Sequence, residues 1–344
     1  MEDSRRKQDH LELSLNGDME DRSTSAGFSD YRFIHQALPD LNFDDINTGI
    51  EIFGKKLDAP IMISPITGGI RDAKILNRRL AAVARDKNIA MCVGSQRVVL
   101  EDPAQEDTFN IRDIAHNILL FANLGAVQLN YGFGPAECIK AVDMIKADGL
   151  MLHLNPMQEV FQNGGNTDFS GLIGKIARIC EKAPFPVIVR EVGFGISEDT
   201  AAKLVSAGVS GIDMGGAGGT SWIKIENGRS RDMLKRKVAG SFRGWGIPTV
   251  ECLEMIDCAG KDLKVIASGG IRSGLDIAKS IALGADIAGT ALPMLKAASV
   301  SAERAGELID EFAMGLRIAM FGIGAADIMS LKNTKSLIKK GRNL

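Results

Sequence analysis

Aromatic side chains are scarce in this sequence, at 5% of 344 residues with two Trp and two Tyr. Any large core must therefore be packed with small and branched residues. A basic excess is missing too. Lys and Arg number 41 against 43 Asp and Glu, a formal net charge of −2, whereas a nucleic-acid footprint normally needs a positive balance. Five cysteines (Cys92, Cys138, Cys180, Cys252 and Cys258) form no CxxC pair and no metal-ligand spacing. That argues against a disulfide framework or a zinc site and for reduced thiols in a cytoplasmic protein. Met1-Glu2-Asp3-Ser4-Arg5-Arg6-Lys7 lacks the apolar stretch of a signal peptide. No window reaches the ~18 consecutive apolar residues of a membrane span.

Glycine, by contrast, is plentiful, with 38 residues, and apolar residues make up 45%. From about residue 60, short apolar runs alternate with segments of helical period. The runs fall at 61–64, 90–93, 119–122, 150–154, 187–190, 211–214, 264–267 and 286–288. Continuous rather than alternating apolarity marks parallel strands covered on both faces. Eight such units predict an α/β fold, a (β/α)₈ TIM barrel with an N-terminal arm and a C-terminal helical segment. The arm and a barrel-closing hairpin near 47–58 are expected to occupy residues 1–58, and the barrel residues 59–344. By composition, residues 1–30 read as a solvated charged tail, with an arm that orders over a ligand as the alternative. Residues 215–248 read as a long polar, glycine-rich lid loop.

Active sites of this fold sit where strands end. The first strand leads into Pro65-Ile66-Thr67-Gly68-Gly69, the second into Gly94-Ser95-Gln96-Arg97, and the third into Asn123-Leu124-Gly125. The fourth carries His153-Leu154-Asn155-Pro156-Met157-Gln158-Glu159. Period-two geometry puts His153 and Asn155 on one inward face. With four histidines in the chain, His153 is one of few imidazoles available for acid–base work. The fifth strand ends in Arg190, a cation costly to bury without an anionic partner. The sixth opens into Gly215-Gly216-Ala217-Gly218-Gly219-Thr220. The seventh opens into Gly269-Gly270-Ile271-Arg272 and the eighth into Gly289-Thr290-Ala291. Glycine-rich exits after the seventh and eighth strands expose backbone N–H groups beside a helix start, which suits a phosphate. Similar exits at the first and sixth leave room for a broad planar ligand. FMN answers that description.

Taken together these segments resemble the FMN-dependent, type 2 isopentenyl-diphosphate isomerases over nearly the whole chain. The specific segment is His153-Leu154-Asn155-x-x-Gln158-Glu159, with Arg6-Lys7-x-x-His10 at the start; the glycine pairs are shared with other FMN barrels. The resemblance implies reduced FMN, Mg²⁺ and NADPH as reductant, with isopentenyl and dimethylallyl diphosphate as partners. It implies a homotetramer or homo-octamer; the charge balance and the lack of a long apolar window give no expectation of nucleic acid or membrane as partners. It also implies that Arg6, Lys7, His10, Ser95, Gln96, Arg97 and Gln158 meet the substrate and that Glu159 holds Mg²⁺. By the same likeness Pro65, Ile66, Thr67, Gly68, Ser95, Asn123, Arg190, Gly215, Thr220, Gly269, Gly270, Ile271, Thr290 and Ala291 hold FMN. Gln158, His153 and Asn155 are the candidate catalytic residues. A neutral amide is a poor acid and base, so Gln158 is expected to position or relay. His153 is expected to donate a hydrogen bond. Arg190 stands where the family pattern has Lys beside the flavin pyrimidine edge, and a planar fork is not equivalent to an ammonium.

Two rival chemistries fit less well. An FMN-dependent 2-hydroxyacid oxidoreductase needs a His base beside an Arg after the late strands, but 215–222 and 267–272 contain no histidine. A barrel related to IMP dehydrogenase needs a nucleophilic Cys after strand six, and none lies between Cys180 and Cys252. A non-catalytic flavin-binding barrel would give no reason for His153, Asn155, Gln158 and Glu159 to sit together.

Overall fold

A computed structural model describes residues 2–256 and 263–341. The chain opens with helix α1 (Glu2–Asn16), strand β1 (Tyr31–Phe33) and the hairpin β2 (Ile50–Ile52) and β3 (Lys55–Leu57). Then follow β4 (Ile61–Ile63), α2 (Arg71–Asp86), β5 (Ala90–Cys92), α3 (Arg97–Glu101), β6 (Leu120–Gly125), α4 (Pro135–Met144) and β7 (Gly149–Leu154). Next come α5 (Pro156–Phe161), α6 (Leu172–Lys182), β8 (Val187–Glu191), α7 (Glu198–Ser206) and β9 (Gly211–Asp213). The segment beyond holds α8 (Trp222–Arg229), α9 (Met233–Ala239) and α10 (Thr249–Met255). The chain ends with β10 (Lys264–Ser268), α11 (Gly274–Ala282), β11 (Ile287–Thr290), α12 (Leu292–Val300), α13 (Ala302–Ile323), α14 (Ile328–Lys332) and β12 (Leu337–Lys339).

Strands β4 to β11 close into one barrel of parallel neighbours, β11 pairing back onto β4. The barrel expected from the eight apolar runs is the fold observed. Each strand is buried on both sides, which is why its sequence shows a run and not an alternation. Inside the barrel Met62, Ala90, Cys92, Leu119, Phe121, Met151, Ile188, Ile266 and Ile287 pack into one cluster. Ile52 and Leu57 of the antiparallel hairpin join that cluster, with Phe53 edge-on to Phe121. The hairpin thus plugs the end of the barrel opposite the strand exits. Burying each such aliphatic side chain stabilises the fold by ~1.5–3 kcal/mol. The outer helices turn apolar faces inward; α2 buries Ala73, Leu76, Leu80, Ala81 and Ala84, spaced three and four apart. Among the described residues no helix is long and apolar enough to cross a membrane.

The charged N-terminus is not a solvated tail. It forms α1, which lies against α8 and α12 over the barrel mouth. The segment after it runs along the late-strand loops: Ser221 N–H donates to Met19 O, Asp21 N–H to Gly219 O and Val250 N–H to Ala26 O. Composition misleads here because the cavity-facing stripe of α1, Lys7, His10, Leu11 and Ser14, is mostly polar. Its spacing of i, i+3, i+4 and i+7 is nevertheless that of one helix face. The lid region 215–248 also differs from expectation. It carries helices α8 and α9, capped by the Ser221 and Asp232 side chains.

Candidate active site

The strand exits, α1 and α8 surround one cavity of about 1640 Å³, part of it open to solvent. Every residue expected to hold a cofactor lines it, as do His153, Asn155, Gln158 and Glu159. Arg6, Lys7, His10, Ser95 and Arg97 line it as well. Gln96 does not. It is fully buried, donates its amide to Ala141 O (2.8 Å) and accepts from Asn123 N–H (3.0 Å). It braces β6 and α4 from behind, so its expected contact with substrate gives way to a structural role.

One wall is built of backbone. Gly269 and Gly270 follow β10 with φ of 101° and 75°, a region L side chains rarely adopt. A Cβ on Gly269 would lie 2.1 Å from Gly216 O, so only hydrogen fits between the two loops. Ser273 caps α11 directly afterwards, accepting from Asp276 N–H, and α12 starts at Leu292 just past β11. Two helix N-termini therefore converge on this wall with the positive ends of their dipoles. Ser64 Oγ and Thr290 Oγ1 line the same region, buried and with no hydrogen-bond partner in the structure. Buried hydroxyls are normally satisfied, so these point to a polar ligand. Glycine cradle, helix termini and orphan hydroxyls fit the phosphate and ribityl chain of FMN.

The opposite wall is built of side chains. Glu159 is 6% exposed. Its Oε1 accepts from Asn155 Nδ2 (2.9 Å), and its Oε2 accepts from Gln162 Nε2 (3.2 Å) and Asn166 N–H (2.6 Å). All three donors are neutral. They fix the carboxylate without neutralising it, leaving its charge for a cation. Among the described residues no group of three or more His, Cys, Asp or Glu could hold a metal ion. A metal here would take one carboxylate plus oxygens of a ligand, the usual habit of Mg²⁺ beside phosphates. Asn155 also donates to Gln158 Oε1 (3.1 Å), and its own buried Oδ1 has no partner. Lys7 Nζ donates to Ser95 O (3.0 Å) and sits over the Phe109 ring, and Arg97 pairs with Glu101 (2.8 Å). Both cations line the cavity.

The floor carries a third group of residues. His153 Nδ1 lies 2.8 Å from Asn123 Oδ1. Burial, then the charges of Arg190 and Lys7, push its pKa down to about 3, so the ring is neutral at physiological pH. As a neutral ring donating through Nδ1, it presents Nε2 as an acceptor. The neighbouring strand places Arg190 in register with His153, and the next places Asp213 in register with Arg190. Sequence reasoning missed Asp213, since one acid inside a buried run has no distinguishing pattern. It also missed Glu226, which binds His10 and approaches Gln158 Nε2 at 3.4 Å. An acidic residue on the cavity side of α8 was the available signal, hidden because the segment read as loop.

Comparison with known proteins now decides the family. The chain is 47% identical to the isopentenyl-diphosphate delta-isomerase of Nostoc sp. over 96% of this chain and 95% of that one. It is 45% identical to the enzyme of the same name from Rickettsia bellii over 97% and 98%. The chain belongs to the isopentenyl-diphosphate delta-isomerase family. It is therefore an enzyme, and the broader signature of FMN-dependent dehydrogenases matches residues 4–113 and 143–339. Among solved structures it superposes on a mandelate oxidase variant with a TM-score of 0.64 at 17% identity, covering 96% of this chain and 95% of that one. A flavocytochrome b2 variant gives 0.70 at 17% identity over 99% and 85%. At such low identity these establish a shared barrel and nothing about the reaction.

Proposed function

We propose that this enzyme interconverts isopentenyl and dimethylallyl diphosphate with reduced FMN and Mg²⁺. The observation that carries the reading is the pairing of two walls in one cavity. One is a glycine cradle suited to FMN. The other carries Glu159, its carboxylate held by neutral donors, in a cavity also lined by Arg6, Lys7 and Arg97. Reduced FMN, when bound, would supply the acid–base chemistry for moving a proton from one end of the alkene to the other, with no net redox change. Glu159 would hold Mg²⁺ against the diphosphate, while Lys7 and Arg6 bind its remaining oxygens with charge-assisted hydrogen bonds. Gln158, held between Asn155 and Glu226, orients the alkene. Leu11, Val98 and Trp222 supply apolar wall for the prenyl group, and α1 excludes water from the reacting carbons. NADPH as the source of reducing equivalents and a homotetrameric or homo-octameric assembly carry over from the family resemblance, and a cytoplasmic location from the cysteine pattern.

The competing 2-hydroxyacid chemistry needs a histidine base, and neither histidine on the cavity wall suits it. His10 is committed to Glu226, and His153 stays neutral to about pH 3. The reading is tested by incubating the FMN-loaded protein anaerobically with dithionite, Mg²⁺ and isopentenyl diphosphate. Dimethylallyl diphosphate should form. Turnover of a 2-hydroxyacid in its place would overturn the proposal.

A further inference from the structure

Beside the glycine cradle lies a buried ion pair whose acidic member has no part in the proposed chemistry. Arg190, at the end of β8, is 8% exposed and opens into the cavity; Asp213, at the end of β9, is fully buried. Arg190 Nε stands 3.3 Å from Asp213 Oδ2 and also donates to Glu191 O (3.2 Å). Ser268 Oγ donates to Asp213 Oδ1 (2.5 Å). Ser268 is the last residue of β10, immediately before Gly269, so Oδ1 is hydrogen-bonded to the foot of the cradle, while Oδ2 faces the cation without a hydrogen bond. A buried carboxylate of this kind is costly unless its partner stays charged and in place. The constraint runs both ways: the guanidinium is held at its Nε between the Asp213 carboxylate and Glu191 O.

We propose that Asp213 is the counter-charge to Arg190, offsetting part of the guanidinium's positive charge and so setting how much of it reaches a bound flavin. The proposal rests on the FMN reading above. Arg190 lines the same cavity as the glycine cradle, at the end of β8 beside His153, and would present a cation to a ring held there. An anionic reduced flavin is favoured by positive charge beside it. Asp213 offsets part of that charge, so the pair holds the flavin potential below what Arg190 alone would give. The effect of Arg190 on its other neighbour supports this. The guanidinium lies close enough to His153, one strand away, to depress its proton affinity.

The test is the midpoint potential and dissociation constant of FMN in three variants measured beside the wild type. Asp213→Asn should move the potential upward, Arg190→Gln downward, and the double variant should lie between them. An unshifted or lowered potential in Asp213→Asn, with FMN bound, would overturn the proposal. If Asp213→Asn does not fold, Asp213→Ser carries the same prediction. Failure of both single Asp213 variants with folding restored by adding Arg190→Gln would itself mark a counter-ion. If the double variant also fails to fold, Asp213 serves packing and the proposal falls. Wild-type protein that takes up no FMN would instead defeat the underlying reading and leave a distinct signature.

Discussion

His10 Nε2 and Glu226 Oε1 lie 2.8 Å apart over the barrel mouth, joining residues 216 positions apart in the chain. Both side chains are nearly buried. Arg229 holds the other carboxylate oxygen at 2.7 Å, and the Trp222 ring packs edge-on against the imidazole. Burial lowers the His10 pKa despite the opposing pull of Glu226. The contact is therefore a neutral ring donating to a carboxylate, and it pins α1 to the segment after β9.

Releasing that pin should loosen substrate binding and leave the cofactor in place. A hydrogen bond to a charged group contributes ~1.5–3 kcal/mol, so His10→Ala should raise the KM for isopentenyl diphosphate by roughly 10-fold or more. FMN affinity should be unchanged, and hydrogen exchange in α1 should quicken. Steady-state kinetics beside flavin titration check this, and weakened FMN binding at an unchanged KM would contradict it.

Gly269→Ala should abolish FMN binding outright. The new methyl would press on Gly216 O at 2.1 Å from a backbone already at positive φ, and strain of this kind costs ~1–3 kcal/mol before any clash is counted. Purified variant protein should be colourless yet folded by circular dichroism. A yellow protein of normal affinity would show that the cradle lies elsewhere.

Glu159→Gln keeps the shape and most of the hydrogen bonds but removes the charge. Activity should fall by about 10²-fold or more at any Mg²⁺ concentration, as expected when a metal ligand is lost, with FMN binding intact. Wild-type Mg²⁺ dependence in the variant would dismiss Glu159 as the ligand.

A pH signature should come from Glu191. Burial raises its pKa from 4.5 to about 7, against the lowering effect of the Phe194, Gly193 and Val192 N–H groups. Between those values the folded chain holds a proton that the unfolded chain releases. Stability from this group therefore falls as pH rises through the window, by roughly 3 kcal/mol in all. Glu191→Gln should remove that slope: wild type should lose thermal stability relative to the variant between pH 4.5 and 7, and no further above it. Parallel melting curves across the range would contradict it.

How much of this was legible in the sequence depended on which signal each residue leaves. The barrel was plain because strands covered on both faces must be written as apolar runs. Strand ends were less plain. The third and eighth runs stop at Ala122 and Ala288 by hydrophobicity, yet the strands continue through Gly125 and Thr290. Asn123 and Thr290 are thus strand residues aimed at the cavity, not loop residues, because a ligand site tolerates polarity within a strand. The α1 helix was hidden by its charge, though the spacing of Lys7, His10, Leu11 and Ser14 was there to be read. Gln96, given a substrate contact by the resemblance, adjoins two cavity residues, but its side chain turns to the opposite side. Asp213 and Glu226 become meaningful only through partners brought from other strands and helices.

The most direct measurement of the central claim is the reaction run in D₂O under anaerobic reducing conditions, followed by NMR of the prenyl diphosphates. The account predicts conversion of isopentenyl to dimethylallyl diphosphate with deuterium entering the newly formed methyl group. The flavin should be as fully reduced at the end as at the start. Isopentenyl diphosphate recovered unchanged and free of deuterium from FMN-loaded, Mg²⁺-supplied protein would contradict it.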